Sequence, residues 1–205
     1  MYTIFEGRDL TKLMAGKVEQ YPWGGEYRPE MLFKIGHEED CLRVFLRCYE
    51  ENPVVTDTRR NGRIWEDSCM ELFISPSADV SAGYFNFEIN AHPALLLHYG
   101  LDGEPSHRSP VEWPLEDFEL TGQKGMDDFG RAYWQLSYRV PYALFNAYCP
   151  KEICLKKGDI IRANLYKCGN IDQPRHYGCW NYIDTTVHPA PTFHQPEYFG
   201  EMILE

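Results

Sequence analysis

The sequence predicts an all-β fold: a two-sheet antiparallel β-sandwich of jelly-roll or immunoglobulin-like type, with one short helix. Apolar and polar residues alternate with a period of two in segment after segment, Gly, Asn, Asp and Pro punctuate the gaps, and helical periodicity is nearly absent. Residues 1–205 read as a single domain, because no linker, repeat or low-complexity run divides them.

The first strand is expected at Met31–Gly36, the second at Leu42–Tyr49. In the second, Leu42, Val44, Leu46 and Cys48 share one face and Arg43, Phe45, Arg47 and Tyr49 the other. Met70–Ile74 follows, with Met70, Leu72 and Ile74 opposed to Glu71 and Phe73. In Tyr84–Asn90 the division is sharper: Phe85, Phe87 and Ile89 form an apolar face, and Tyr84, Asn86, Glu88 and Asn90 a face expected to be wet. Further strands are expected at Ala94–Gly100, Ala132–Val140, Asp159–Cys168 and the terminal Glu201–Glu205. Asn61-Gly62, Asp102-Gly103 and Lys157-Gly158 supply turns. The helix is placed after Val140, where Pro141 suits a first helical position and Leu144, Phe145 and Tyr148 can face the core.

Composition bounds the function. Hydrophobic residues at 43% and charged residues at 25% are globular values. A net charge of -11 repels phosphate backbones and anionic lipid, which argues against nucleic acid and membrane partners and leaves a neutral polymer compatible. Seven cysteines without a CxxC pair suggest free, buried thiols rather than a disulfide framework or a zinc ribbon. The N-terminus has no secretory pattern, so the chain as it stands is expected in the cytoplasm, or outside the cell if a leader has been removed. Oligomeric state leaves no trace in the sequence.

No HExxH, GxSxG or phosphate loop is present. The pattern that stands out is Trp65-Glu66-Asp67-Ser68-Cys69-Met70-Glu71, then the strand ending Phe87-Glu88-Ile89-Asn90, then Trp180 and the closing run Phe193-His194-Gln195-Pro196-Glu197-Tyr198-Phe199-Gly200. This order resembles the family-nine carbohydrate-binding modules and their stand-alone, DOMON-like sandwich relatives, from about Met31 to the C-terminus. The resemblance implies non-catalytic binding of a mono-, oligo- or polysaccharide, with Trp65 and Trp180 as the two aromatic walls, Glu71 and Asn90 as hydrogen-bonding groups, and Glu88 in an atypical place. Arg162 and Asn164 on a nearby strand are added as extra contacts. The chemistry agrees, since a pyranose has apolar C–H faces and a hydroxyl rim and is held by flat aromatic surfaces plus convergent acceptors.

No cofactor is expected beyond a structural calcium, for which Asp57 and Asp67 are weak candidates, opposed by Arg59, Arg60 and Arg63 in the intervening turn. Two rival readings are kept: a glycoside-active enzyme using Glu71 and Glu88, and a haem-binding relative using Met70 and a loop histidine.

Overall fold

The alternating segments become strands in the computed structural model, which describes the backbone of residues 1–205 and every side chain except that of Pro105. In chain order these are β1 (Tyr2–Glu6), β2 (Gly16–Val18), β3 (Glu30–His37), β4 (Cys41–Tyr49), β5 (Cys69–Ser75), β6 (Tyr84–Asn90) and β7 (Leu95–Gly100). They continue with β8 (Ser109–Pro110), β9 (Thr121–Met126), β10 (Ala132–Pro141), β11 (Ile160–Gly169), β12 (His176–Cys179) and β13 (Gly200–Leu204). The expected helix is α1 (Tyr142–Tyr148), entered from Pro141, with Tyr142, Leu144 and Phe145 buried.

The expectation of two separate antiparallel sheets is corrected. The chain makes one curled, half-barrel sheet of thirteen strands, in the order β8, β7, β6, β5, β11, β13, β1, β3, β4, β10, β9, with β12 beside β11 and β2 beside β3. The sheet is mixed, because β1 runs parallel to both of its neighbours: Tyr2 lies opposite Met202 of β13 and Phe5 opposite Gly36 of β3. This N-terminal strand closes the gap that would otherwise separate two sheets. Only glycine fits where it passes β3, since a Cβ on Gly36 would sit 2.2 Å from the Gly7 carbonyl oxygen.

Curling folds the sheet over its own apolar face. Leu72, Phe87 and Leu165 from one half meet Leu46, Leu136 and Val140 from the other, and Phe87 stacks on Tyr138 with ring centroids 5.9 Å apart. Cys48 lies in this core, in the place the alternation gives it.

The polar face of β6 is not wet. All seven residues of β5 and all seven of β6 are buried. A second layer covers them, in which Phe73, Tyr84, Tyr166 and Phe199 cluster beneath the segment that leads into β13. A closing run that reads as a loop from sequence therefore acts as a lid on the outer face of the sheet, with a gap left in it. No helix among the described residues is long and apolar enough to cross a membrane.

Candidate functional site

The gap is a pocket of about 600 Å³. Its base is the outer face of β5, β6, β7 and β11, which contribute Glu71 and Phe73, Asn86 and Glu88, Leu96 and His98, and Cys168. Its sides are Trp65, Asn170 and Tyr177 together with the lid residues Thr192, Phe193 and His194, and Arg108.

Trp65 sits in a one-turn 3-10 helix, Ile64–Glu66, whose Ile64 is buried and so anchors the turn. Its carbonyl accepts a hydrogen bond from Asn170 Nδ2 at 2.8 Å, and the Glu66 carbonyl accepts from the Asn170 and Ile171 amides. The backbone is thus held while the indole stays 41% exposed, an unusual state for the largest apolar side chain. On the lid, Phe193 stacks on Tyr166 with centroids 4.1 Å apart and planes 10° from parallel.

Two carboxyl groups stand side by side at the base, because Glu71 and Glu88 are direct cross-strand partners of β5 and β6. Burial pushes Glu88 up to about 7, with the hydrogen bond from Asn86 pulling the other way. Its Oε1 accepts from Asn86 Nδ2 at 2.7 Å, while Oε2 is buried and finds no partner among the described residues. Asn86 Oδ1 in turn accepts from Arg108, whose guanidinium lies 4.1 Å from the centre of the Tyr84 ring. Glu71 is raised well above the ordinary carboxyl range, first by burial and then by the neighbouring Cys168 and Glu88, and its Oε1 accepts from the Cys168 thiol at 3.0 Å.

His194 pairs its Nδ1 with the Tyr84 hydroxyl at 2.9 Å and lies against Phe73. Burial, then the Arg108 and His98 charges, push it down to about 3. A histidine whose folded value lies below its unfolded value of about 6.5 leaves the unfolded chain binding the extra proton, so this stability is complete above about pH 6.5 and drains away as pH falls towards 3. Urea denaturation of wild type and His194→Phe should therefore show the stability gap moving by about 2 kcal/mol towards the variant between about pH 7.5 and about pH 4.5. A gap that does not move would mean that the ring is freely solvated.

The structure brings Trp65, Glu71 and Glu88 into one pocket and leaves the other expected contacts outside it. Trp180 is corrected as a wall: its ring meets Tyr2 and Phe33 edge-on at 6.2 and 5.7 Å and packs against the core at the opposite side of the sheet. The cause is strand register, since Trp180 follows β12 directly and its amide bonds to the Leu165 carbonyl, which turns the indole inwards. Asn90 is also corrected. It is fully buried, and it donates to the Asp57 carbonyl at 2.7 Å and to Asp67 at 2.8 Å while accepting from the His92 and Ala94 amides, so it braces a turn. Asn164 is spent in the same way on Leu165 and Asn181, and Arg162 pairs with Glu201 at 3.2 Å.

Asp57 and Asp67 are ringed by donors. Arg59 and the Arg63 amide fill Asp57, and Thr56, the Asp57 amide and Asn90 fill Asp67, which places positive hydrogen ends where a calcium ion would have to sit. Met70 is buried on the core face, away from the pocket, which removes the haem ligand considered for it.

Sequence reasoning missed Asn86, His98, Arg108, Tyr177 and Phe193 as pocket residues. For Asn86 and His98 a signal existed, because Asn86 lies two residues before Glu88 on one strand face and His98 lies opposite Asn86 on β7. Phe193 heads the closing run that stands out in the sequence, which marks the segment and not its contact with the pocket, and Arg108 is set by a loop and carried no signal.

The carbohydrate-binding family 9 profile matches residues 6–204. Among solved structures, a protein from Bacteroides uniformis ATCC 8492 described as carbohydrate-binding is similar over 100% of this chain and 97% of its own, with a TM-score of 0.77 and 24% identity. A family 9 carbohydrate-binding module from Caldicellulosiruptor kristjanssonii, solved with cellotriose, is similar over 100% of this chain and 93% of its own at a TM-score of 0.63 and 13% identity. The same module solved with glucose gives the same TM-score and identity over 99% and 94%. No match was found among curated proteins. The family match carries no support for the cytoplasmic location expected from the sequence. With matched residues running from the last residue of β1 to the end of β13, the chain belongs to carbohydrate-binding family 9.

Proposed function

We propose that this protein binds a saccharide without cleaving it, with one face of a pyranose ring lying on the Trp65 indole and the ring's hydroxyls turned towards Glu88 and its neighbours. The observation that carries this reading is the pairing of a half-exposed indole at the pocket rim with a buried carboxyl group whose second oxygen has no protein partner. A buried acceptor left unmatched costs about 1–3 kcal/mol, which a ligand hydroxyl recovers. Glucose and cellotriose, the ligands of the Caldicellulosiruptor module, fit this chemistry, because equatorial hydroxyls leave both faces of the ring apolar.

In this reading Trp65 replaces the two-tryptophan slot expected from sequence, and Glu71, Glu88, Asn86 and His98 supply the polar contacts in place of Asn90, Arg162 and Asn164. Hydrolysis is the weaker reading. The cross-strand placement of Glu71 and Glu88 favours it, yet burial holds both groups towards the protonated form, which offers an acid and no ready base or nucleophile.

Calorimetric titration with glucose and cellotriose tests the proposal. Binding is expected in the millimolar to micromolar range, and Glu88→Ala should weaken it by about tenfold or more. Absence of binding to both sugars and to a broad glycan array would reject the reading, and turnover of an aryl glycoside abolished by Glu71→Gln would replace it with the enzymatic one.

A further inference from the structure

The base of the pocket holds a donor set of which the saccharide reading uses only Glu71, leaving two thiols without a role. Cys69 and Glu71 are two residues apart on β5 and therefore project from the same face, and Cys168 of β11 lies directly opposite Cys69. The two sulfurs and one carboxylate oxygen all lie within 4.8 Å of one another, and all three residues are buried. The Cys168 thiol already donates to Glu71 Oε1 at 3.0 Å.

We propose that Cys69, Glu71 and Cys168 form a binding site for one thiophilic divalent cation of the zinc class, with its fourth coordination position open to the pocket. Two thiolates and a carboxylate are a borderline-soft donor set that selects zinc or cadmium over calcium or magnesium. In tetrahedral coordination with Zn–S near 2.3 Å the sulfurs stand about 3.8 Å apart, which falls inside the 4.8 Å within which the three ligand atoms already lie. Binding releases the protons of both thiols, and that of Glu71 where it is protonated, leaving a site with a net charge of -1 once the cation is in place.

Access follows from the lining. Cys168 and Glu71 face the cavity, so the ion enters through it and the open position takes water or an oxygen of whatever occupies the pocket. Cys69 and Cys168 are also bordered by Ile64, Leu96 and Ala94, an apolar collar that strengthens ion–ligand attraction by excluding water. The inference stands on this geometry and not on the saccharide reading, so either can fail alone.

The test uses the full chain, reduced with a phosphine and freed of metal, titrated with Cd2+ and followed by sulfur-to-metal charge-transfer absorption. One Cd2+ per chain is expected. Losing an outer-shell partner of a metal commonly costs 10–100-fold in affinity, so Cys69→Ala and Cys168→Ala should each weaken binding by about 100-fold or more. Glu71→Gln should weaken it less while keeping the sulfur band, and Cys154→Ser, at an exposed cysteine, should change nothing. A crystal soaked in Cd2+ should show an anomalous peak among the three side chains, which keeps the test decisive if a core variant folds poorly. No sulfur band at stoichiometric Cd2+, a band that survives in the double variant Cys69→Ala/Cys168→Ala, or an anomalous peak elsewhere would each overturn the proposal.

Discussion

Trp65→Ala should weaken saccharide binding by about 5- to 30-fold, since an aromatic face stacked on a sugar contributes about 1–2 kcal/mol. Little stability should be lost with it, because the indole is 41% exposed and the anchoring of its turn rests on Ile64 and on backbone bonds to Asn170 and Ile171. Trp180→Ala should show the reverse. It removes a ring packed against Tyr2 and Phe33 and leaves a void beneath them, at a cost of about 2–4 kcal/mol, while binding by the folded protein stays as it was. Calorimetry and urea denaturation on both variants separate the two roles. Equal binding losses in both would restore the two-tryptophan slot and reject the site described above.

Lys167→Met should destabilise the fold by about 3–5 kcal/mol, the cost of stranding a buried charge. Lys167 is wholly buried on the core face, where its ammonium donates to His176 Nε2 and the Cys168 carbonyl, each at 2.8 Å, and lies 3.4 Å from Glu50 Oε2. Burial alone would lower the lysine and raise the carboxylate, yet each is held in its charged form, chiefly by the other. Glu50 is otherwise satisfied by Trp134 Nε1 at 2.9 Å and Ser68 Oγ at 3.1 Å, so removing Lys167 leaves a negative charge among apolar neighbours. Adding Glu50→Gln to Lys167→Met should recover part of the loss, because the amide carries no charge, its oxygen still accepts from Trp134 and its NH2 can donate to the Ser68 hydroxyl. Denaturation midpoints of the single and double variants, compared with wild type, give the coupling directly; an additive result would show that the two groups do not interact.

The strands that form the core were legible because each carries its own alternation. Leu42–Tyr49, Tyr84–Asn90 and Ala132–Val140 lie within observed strands whose limits differ by no more than one residue at each end. The strands overlooked, β1, β2, β8, β9 and β12, are short or lie at an edge and carry too little alternation to be read. β9 is a sheet edge of exposed residues, TGQKGM, and β12 is four residues long. A hint of the buried ion pair was present, since Lys167 falls in phase with Ile161, Ala163 and Leu165, a lone charge on an apolar face; its partner Glu50 lies more than a hundred residues away and alternation cannot point to it.

For the site, the Trp65–Glu71 run and the Glu88 strand were readable as motifs, and they do meet in space. Membership of family 9 was readable in the same residues.

The sequence by itself determined the main core strands, the facing of Glu71 and Glu88 to the same side of their strands and the family, because period-two geometry and short motifs are local. Tertiary structure alone decided that β1 joins the two halves into one curled sheet, that the closing run roofs the polar face, and that Trp180 points into the core while Cys69, Glu71 and Cys168 converge. Those outcomes depend on which strands pair and in what register, and a one-residue slip turns every side chain to the opposite face without altering the local pattern.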